Sequence, residues 1–224
     1  SFASNSITVD GDLSEWDATP IVNARNRVGG DGNGALVSFE PFGGGTWDGP
    51  EDHSNVTYFS YDSDNVYVGI VVTDDYHENG ANSAWNGDAV QLHVANAARD
   101  TNIALYNFFL GGVDGALADA AAVNEEKAAG GGGASVAIVR DGTTTTYEIA
   151  IPKAAAGLDD LSPGVQLGLG MTINDGDEAE PGQKGWGGVG THSVVYNGKT
   201  PSETALVTLG APAFPLLLDF AANG

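Results

Sequence analysis

The chain has 224 residues and a formal net charge of −22, from 8 basic against 30 acidic side chains. That balance excludes nucleic acid as a partner, because phosphate recognition needs a basic stripe and this sequence has none. The absence of cysteine removes disulfides and thiolate metal sites, and no run approaches the about 20 apolar residues that cross a bilayer, so membrane insertion is not expected.

In chain order, residues 1–6 read as a lead-in and 7–9 as a short strand turned by Asp10 and Asp12. A single helical turn follows, with Trp16 as a core plug. Residues 35–39 form the best strand of a Gly- and Asn-rich stretch. Trp47 then sits in a glycine-rich loop, either as a stacking surface or as a lid. The runs 57–61, 66–73 and 89–94 are rich in β-branched and aromatic residues and are separated by Asp, Asn and Gly. Such punctuation marks consecutive antiparallel strands. Asp62 to Asn65 fits a tight turn, since short Asx side chains bond their own backbone. The connection over 74–88 is longer than a hairpin needs and gathers acids, a histidine and Trp85, which makes it a functional candidate.

Further along, 101–110 is a strand with Ile103 and Leu105 inward and Tyr106 and Asn107 near a binding face. Residues 116–129 are rich in Ala and Glu and read as a short helix, ended by the glycines at 130–133. Residues 135–140 and 144–151 alternate around Asp141-Gly142, a hairpin signal, and Pro152 ends that ladder. Residues 165–173 alternate again, with Gly168 and Gly170 marking a close approach on one face. A glycine-cushioned loop around Trp186 and a closing strand at 205–209 complete the pattern. The fold class that results is all-β: an antiparallel β-sandwich of jelly-roll character, two sheets of about five strands each. One domain covers 1–210, and an apolar C-terminal tail over 211–224 folds back or is exchanged with a neighbour.

Several blocks carry a family resemblance. The opening I-T-V-D-G-D-L-S-E-W at 7–16, the run Y-V-G-I-V-V-T-D-D with W-N-G-D-A-V-Q-L-H-V at 67–94, Y-E-I-A-I-P at 147–152 and G-L-G-M-T-I-N-D-G-D at 168–177 occur in one order and spacing. This set resembles family-9 carbohydrate-binding modules and their DOMON-like relatives. The resemblance implies a sugar held by two tryptophans, with Trp85 as the first and Trp186 as the second. Gln91 stands where the family commonly has Glu, and an amide both donates to and accepts from hydroxyls. Asn107 joins it as a hydroxyl contact. The resemblance also implies a structural calcium near the opening turn.

The carboxylates bear on that metal. Asp10, Asp12, Asp74, Asp175 and Asp177 fall in turns flanking the strands, and calcium takes roughly 6–8 such hard oxygens. Ordinary Asx capping of turns is the competing explanation. His53, His77, His93 and His192 stand apart without ligand spacing, which points away from a transition metal. No Gly-x-Ser-x-Gly elbow and no cysteine nucleophile is present, and abundant Asp is not evidence of a paired catalytic site. The reading is a non-catalytic, secreted, extracellular module, not an enzyme, whose partner is a polysaccharide or sugar end and whose cofactor is calcium. The alternative is a structural subunit of an extracellular filament or surface layer, self-associating by strand exchange through the tail or the N-terminal strand.

Overall fold

The computed structural model describes residues 7–16, 21–23, 36–81, 84–128, 132–178, 180–189, 194–195, 199–211 and 217–219. The lead-in at 1–6 and most of the apolar tail lie outside them. The strands are β1 (Ile21–Asn23), β2 (Leu36–Pro41), β3 (His53–Tyr61), β4 (Asn65–Asp74), β5 (Glu78–Asn79), β6 (Ala89–Ala95) and β7 (Asn102–Val113). They continue as β8 (Ala116–Ala128), β9 (Ser135–Asp141), β10 (Thr144–Pro152), β11 (Gln166–Asp177), β12 (Glu180–Val189), β13 (Ala205–Thr208) and β14 (Leu217–Asp219).

Two antiparallel sheets form the sandwich. One has five strands in the order β1-β3-β4-β10-β9. The other has nine, where the expectation was about five. Its spine runs β14-β13-β11-β6-β7-β5, with β12 beside β11, β2 beside β12 and β8 beside β7. Side chains alternate across a strand, so the period of two decides which of them enter the layer between the sheets. Val66, Val68, Ile70 and Val72 of β4 meet Val90, Leu92 and Val94 of β6 and Leu167, Leu169, Met171 and Ile173 of β11 in one buried core. No helix among the described residues is long and apolar enough to cross a membrane.

The punctuation read from the sequence has its physical counterpart. Asp62 Oδ1 accepts from the amides of Asp64 and Asn65, both at 2.8 Å, closing the β3–β4 turn. Gly142 has φ +57° at the β9–β10 hairpin, a conformation that a side chain would strain. Two segments depart from expectation. Residues 116–128 are the strand β8, not a helix, because pairing along β7 from Ala104 to Val113 supplies a full ladder that helix propensity cannot match. Residues 180–189 are the strand β12, not a loop, held between β11 and β2. Leu217–Asp219 pairs with β13 of its own chain.

The N-terminal segment lies on the outer face of the five-stranded sheet. Glu148 of β10 organises it: Oε2 accepts from the amides of Asp10 and Gly11, each at 2.8 Å, and Oε1 accepts from Trp16 Nε1 at 2.8 Å. Trp16 meets Tyr58 and Tyr67 edge to face and is partly rather than fully buried. Tyr67 donates its hydroxyl to Asp62 Oδ2 at 2.7 Å, and burial, followed by that hydrogen bond, pushes its pKa up to about 12. A raised folded-state value means that the unfolded chain loses this proton first. The Tyr67 contribution is therefore fully present below pH 10 and is lost as pH rises from about 10 toward 12. Thermal unfolding recorded across that window should show a fall that is shallower in Tyr67→Phe, and equal slopes would contradict the assignment.

Candidate functional site

The face of the nine-stranded sheet turned away from the core carries a line of polar side chains. Register sets them side by side: Asn124 of β8 opposite Asn107 of β7, Asn107 opposite Gln91 of β6, and Gln91 opposite Thr172 of β11. Directly opposed residues share a face. Their side chains bond along the line. Asn107 Nδ2 donates to Glu126 Oε1 at 3.0 Å and to Asn124 Oδ1 at 3.3 Å. Asn174 Nδ2 donates to Gln91 Oε1 at 3.3 Å and to the Trp85 carbonyl at 2.9 Å. Asn107, Gln91, Thr172 and Asn174 are all buried. The Oδ1 atoms of Asn107 and Asn174 have no hydrogen-bond partner among the described residues. Two buried amide oxygens left in that state cost free energy, on the order of 1–3 kcal/mol each, until a donor reaches them.

The apolar sides of this line are unequal. Leu105 packs with Val194 and Val195 on one side. On the other, Trp186 of β12 stands opposite Asn174. Trp186 is only 3% exposed, and Phe42, 39% exposed, has its ring centroid 6.0 Å away at a tilt of 57°. Trp85 is 40% exposed, and its carbonyl is tied to Asn174. The structure thus brings Trp186, Gln91 and Asn107 to one face of one sheet and the backbone of Trp85 alongside them, with Trp85 and Phe42 the more exposed aromatic residues. Phe42, Asn124, Thr172 and Asn174 were not singled out from sequence, because their neighbours come from strands far apart in the chain. Trp47 is half-buried and donates its Nε1 to the His53 carbonyl at 2.9 Å, a lid's role more than a platform's.

The acidic residues fall into two places. Asp10 and Asp12 lie beside Glu148 in a run of Asx bonds: Asp10 Oδ1 accepts from the Asp12 amide and Asp12 Oδ1 from the Ser14 amide, each at 2.9 Å. Asp74 and Asp175 are buried, each two residues beyond the last apolar core position of its strand (Val72 and Ile173). Asp88 is buried with them, two residues before Val90. Asp177 follows on the rim, where burial and then the Asp175 and Asp75 charges raise its pKa. Asp52 nearby is raised to about 6 by burial, against the Asp48 amide that stabilises its anion, and then by Asp175, Asp75 and Asp177. Burial and the Asp175 charge push Asp74 up to about 8, and burial with the Asp74 and Asp175 charges lifts Asp88 well above the carboxylate range.

A sandwich with a bonded polar line on the outward side of one sheet, with the accessible Trp85 and Phe42 in the segments beside it, suits a binding module. The sequence matches the family described as "Carbohydrate family 9 binding domain-like" over residues 41–197, more than half of the chain, and the protein belongs to that family. Modules of this family are non-catalytic, and so is this one. The fold is similar to that of a family-9 carbohydrate-binding module from Caldicellulosiruptor kristjanssonii in complex with cellotriose, at TM-score 0.64 and 12% identity over 95% of this chain and 94% of that one. It is similar also to the module from that organism in complex with glucose, at TM-score 0.64 and 13% identity over 95% and 97% of the two chains. No curated protein matches the sequence.

Proposed function

We propose that this module binds a glucose-containing polysaccharide or its chain end, outside the cell, on the polar line of the nine-stranded sheet. The observation that carries the reading is the pair of buried, unpartnered oxygens, Asn107 Oδ1 and Asn174 Oδ1, on side chains whose Nδ2 groups already donate along the row. Sugar hydroxyls are donors that suit such acceptors, while Trp85 offers the flat apolar surface against which a pyranose C–H face packs. Cellotriose and glucose, bound by the similar modules, are the first ligands to try. Calorimetric titration with these and a wider glycan panel should give saturable binding at one site per chain. Absence of heat across the panel would remove the proposal.

Calcium is proposed at the rim, where Asp177, Asp52 and Asp75 lie in the field of the buried Asp175. Mutual repulsion among these carboxylates is what a hard divalent cation relieves. Asp10 and Asp12 lie apart from them, with their turns already satisfied. The outside-the-cell placement rests on the kind of partner and on the acidic composition.

A further inference from the structure

One end of the layer between the sheets is filled by charge instead of hydrocarbon. Asp74, Asp88 and Asp175 are buried there within one another's field. Among the described residues, His53 Nδ1 lies 3.3 Å from Asp175 Oδ1. The guanidinium of Arg140 is also near, but its short carboxylate contacts go to Asp114: Nη2 to Oδ2 at 2.7 Å and Nε to Oδ1 at 3.1 Å. It reaches Asp74 Oδ2 only at 3.5 Å. Buried carboxylates without matching charge are costly, so either protons or a cation must offset them.

His77 separates these two possibilities. It is fully buried, and its Nε2 lies 2.8 Å from the Leu110 carbonyl. A carbonyl only accepts, so Nε2 carries the proton and, in the neutral ring that burial favours, Nδ1 presents a bare lone pair. That lone pair has no hydrogen-bond partner and faces Asp88 Oδ2 at 3.6 Å. A shared proton would need a shorter approach, about 2.7–3.0 Å. Two ligands about 2.1 Å from one ion at a tetrahedral angle stand about 3.4 Å apart. Ligand atoms of Asp74, His77 and Asp88 all lie within 4.8 Å of one another. Backbone amides hold the carboxylates: Asp88 Oδ2, the oxygen that faces His77, also accepts from the Glu78 amide, Asp88 Oδ1 accepts from Gly176, and Asp74 Oδ1 accepts from Tyr76. A ring nitrogen fixed by a backbone carbonyl, with carboxylates fixed by amides, is the outer-shell support that orients metal ligands.

We propose that Asp74, His77 and Asp88 form a site for a divalent transition-metal cation of the zinc type, separate from the oxygen-only rim suited to calcium. An imidazole donor selects zinc over calcium, which takes oxygen ligands. The ion ties the end of β4, the turn into β5 and the start of β6 to one point. It thereby anchors the loop that carries Trp85.

The test uses zinc and cobalt ions on the whole chain after chelator treatment, with no carbohydrate present, so its outcome is independent of sugar binding. Wild type should bind one zinc equivalent with calcium in excess, and cobalt should give visible d–d bands. In ¹⁵N-imidazole spectra, the Nδ1 resonance of His77 should move on zinc addition. His77→Gln keeps a donor for the Leu110 carbonyl and lacks the Nδ1 lone pair. It should weaken zinc by at least about tenfold and leave calcium binding unchanged. Failure of wild type to bind zinc, an unmoved His77 resonance, or equal zinc affinity in His77→Gln would each overturn the site, and the first of these would assign the charge balance to protons. The imidazole spectrum reads the wild type alone, so it decides the matter even where the variant does not fold.

Discussion

Trp85→Ala is expected to weaken carbohydrate binding by about 30-fold, corresponding to about 2 kcal/mol, while thermal unfolding stays within about 2 °C of the wild type. The two halves of that result have different causes. Trp85 is, at 40%, among the more exposed large apolar residues described, so truncating it removes less buried surface than a core substitution would. The bond that secures this loop, from Asn174 Nδ2 to the Trp85 carbonyl, belongs to the backbone and survives the substitution. What disappears is the apolar plane beside the polar line. Calorimetry with cellotriose, paired with a melting curve, separates the two effects. Unchanged affinity would place the sugar elsewhere.

The largest stability effect is expected at Gly185 of β12. A methyl group there would stand 1.9 Å from Phe39 Cζ and within 2.5 Å of the adjoining ring atoms, and Phe39 is wholly buried. The ring cannot move aside without displacing its neighbours. His53, whose ring centroid is 5.7 Å away, receives the Gly187 amide on Nε2. Overpacking of this kind costs on the order of 3 kcal/mol, so Gly185→Ala should lower the melting temperature by about 6–12 °C. Adding Phe39→Leu to that variant should recover part of the loss, because the shorter side chain vacates the space. A double variant less stable than the sum of the two single changes would show that the overlap is not the cause.

These positions illustrate which parts of the fold the sequence discloses. The β3, β4, β6, β9 and β10 strands were readable because β-branched residues alternate between Asx turns, and a period of two is both necessary and visible. At β8 the composition misled: Ala and Glu favour helix in isolation, yet an open flank of β7 offered a ladder of backbone bonds. At β12 the signal was missing altogether. Glycines at 182, 185, 187 and 188 carry no side-chain pattern, and the reason for one of them is a phenylalanine almost 150 positions earlier.

The site divides in the same way. Gln91 is found through the family resemblance, and Asn107 as a polar residue in an apolar strand. Thr172, Asn174 and Phe42 could not be found in either way, since only the β11–β6 and β12–β2 pairings bring them alongside. The inward placement of the buried acids is legible in the sequence. Asp74, Asp88 and Asp175 each keep the inward parity of the valines and isoleucine next to them, so alternation alone sends them between the sheets. The tautomer of His77, in contrast, depends on the Leu110 carbonyl and has no trace in sequence.

The most direct test of the account is a cellotriose titration followed through the side-chain amide resonances of ¹⁵N-labelled protein. Saturable shifts in the amides of Gln91, Asn107 and Asn174, with those of Asn65 on the other sheet unmoved, are the predicted result. Saturable binding that leaves those three amides in place would contradict it.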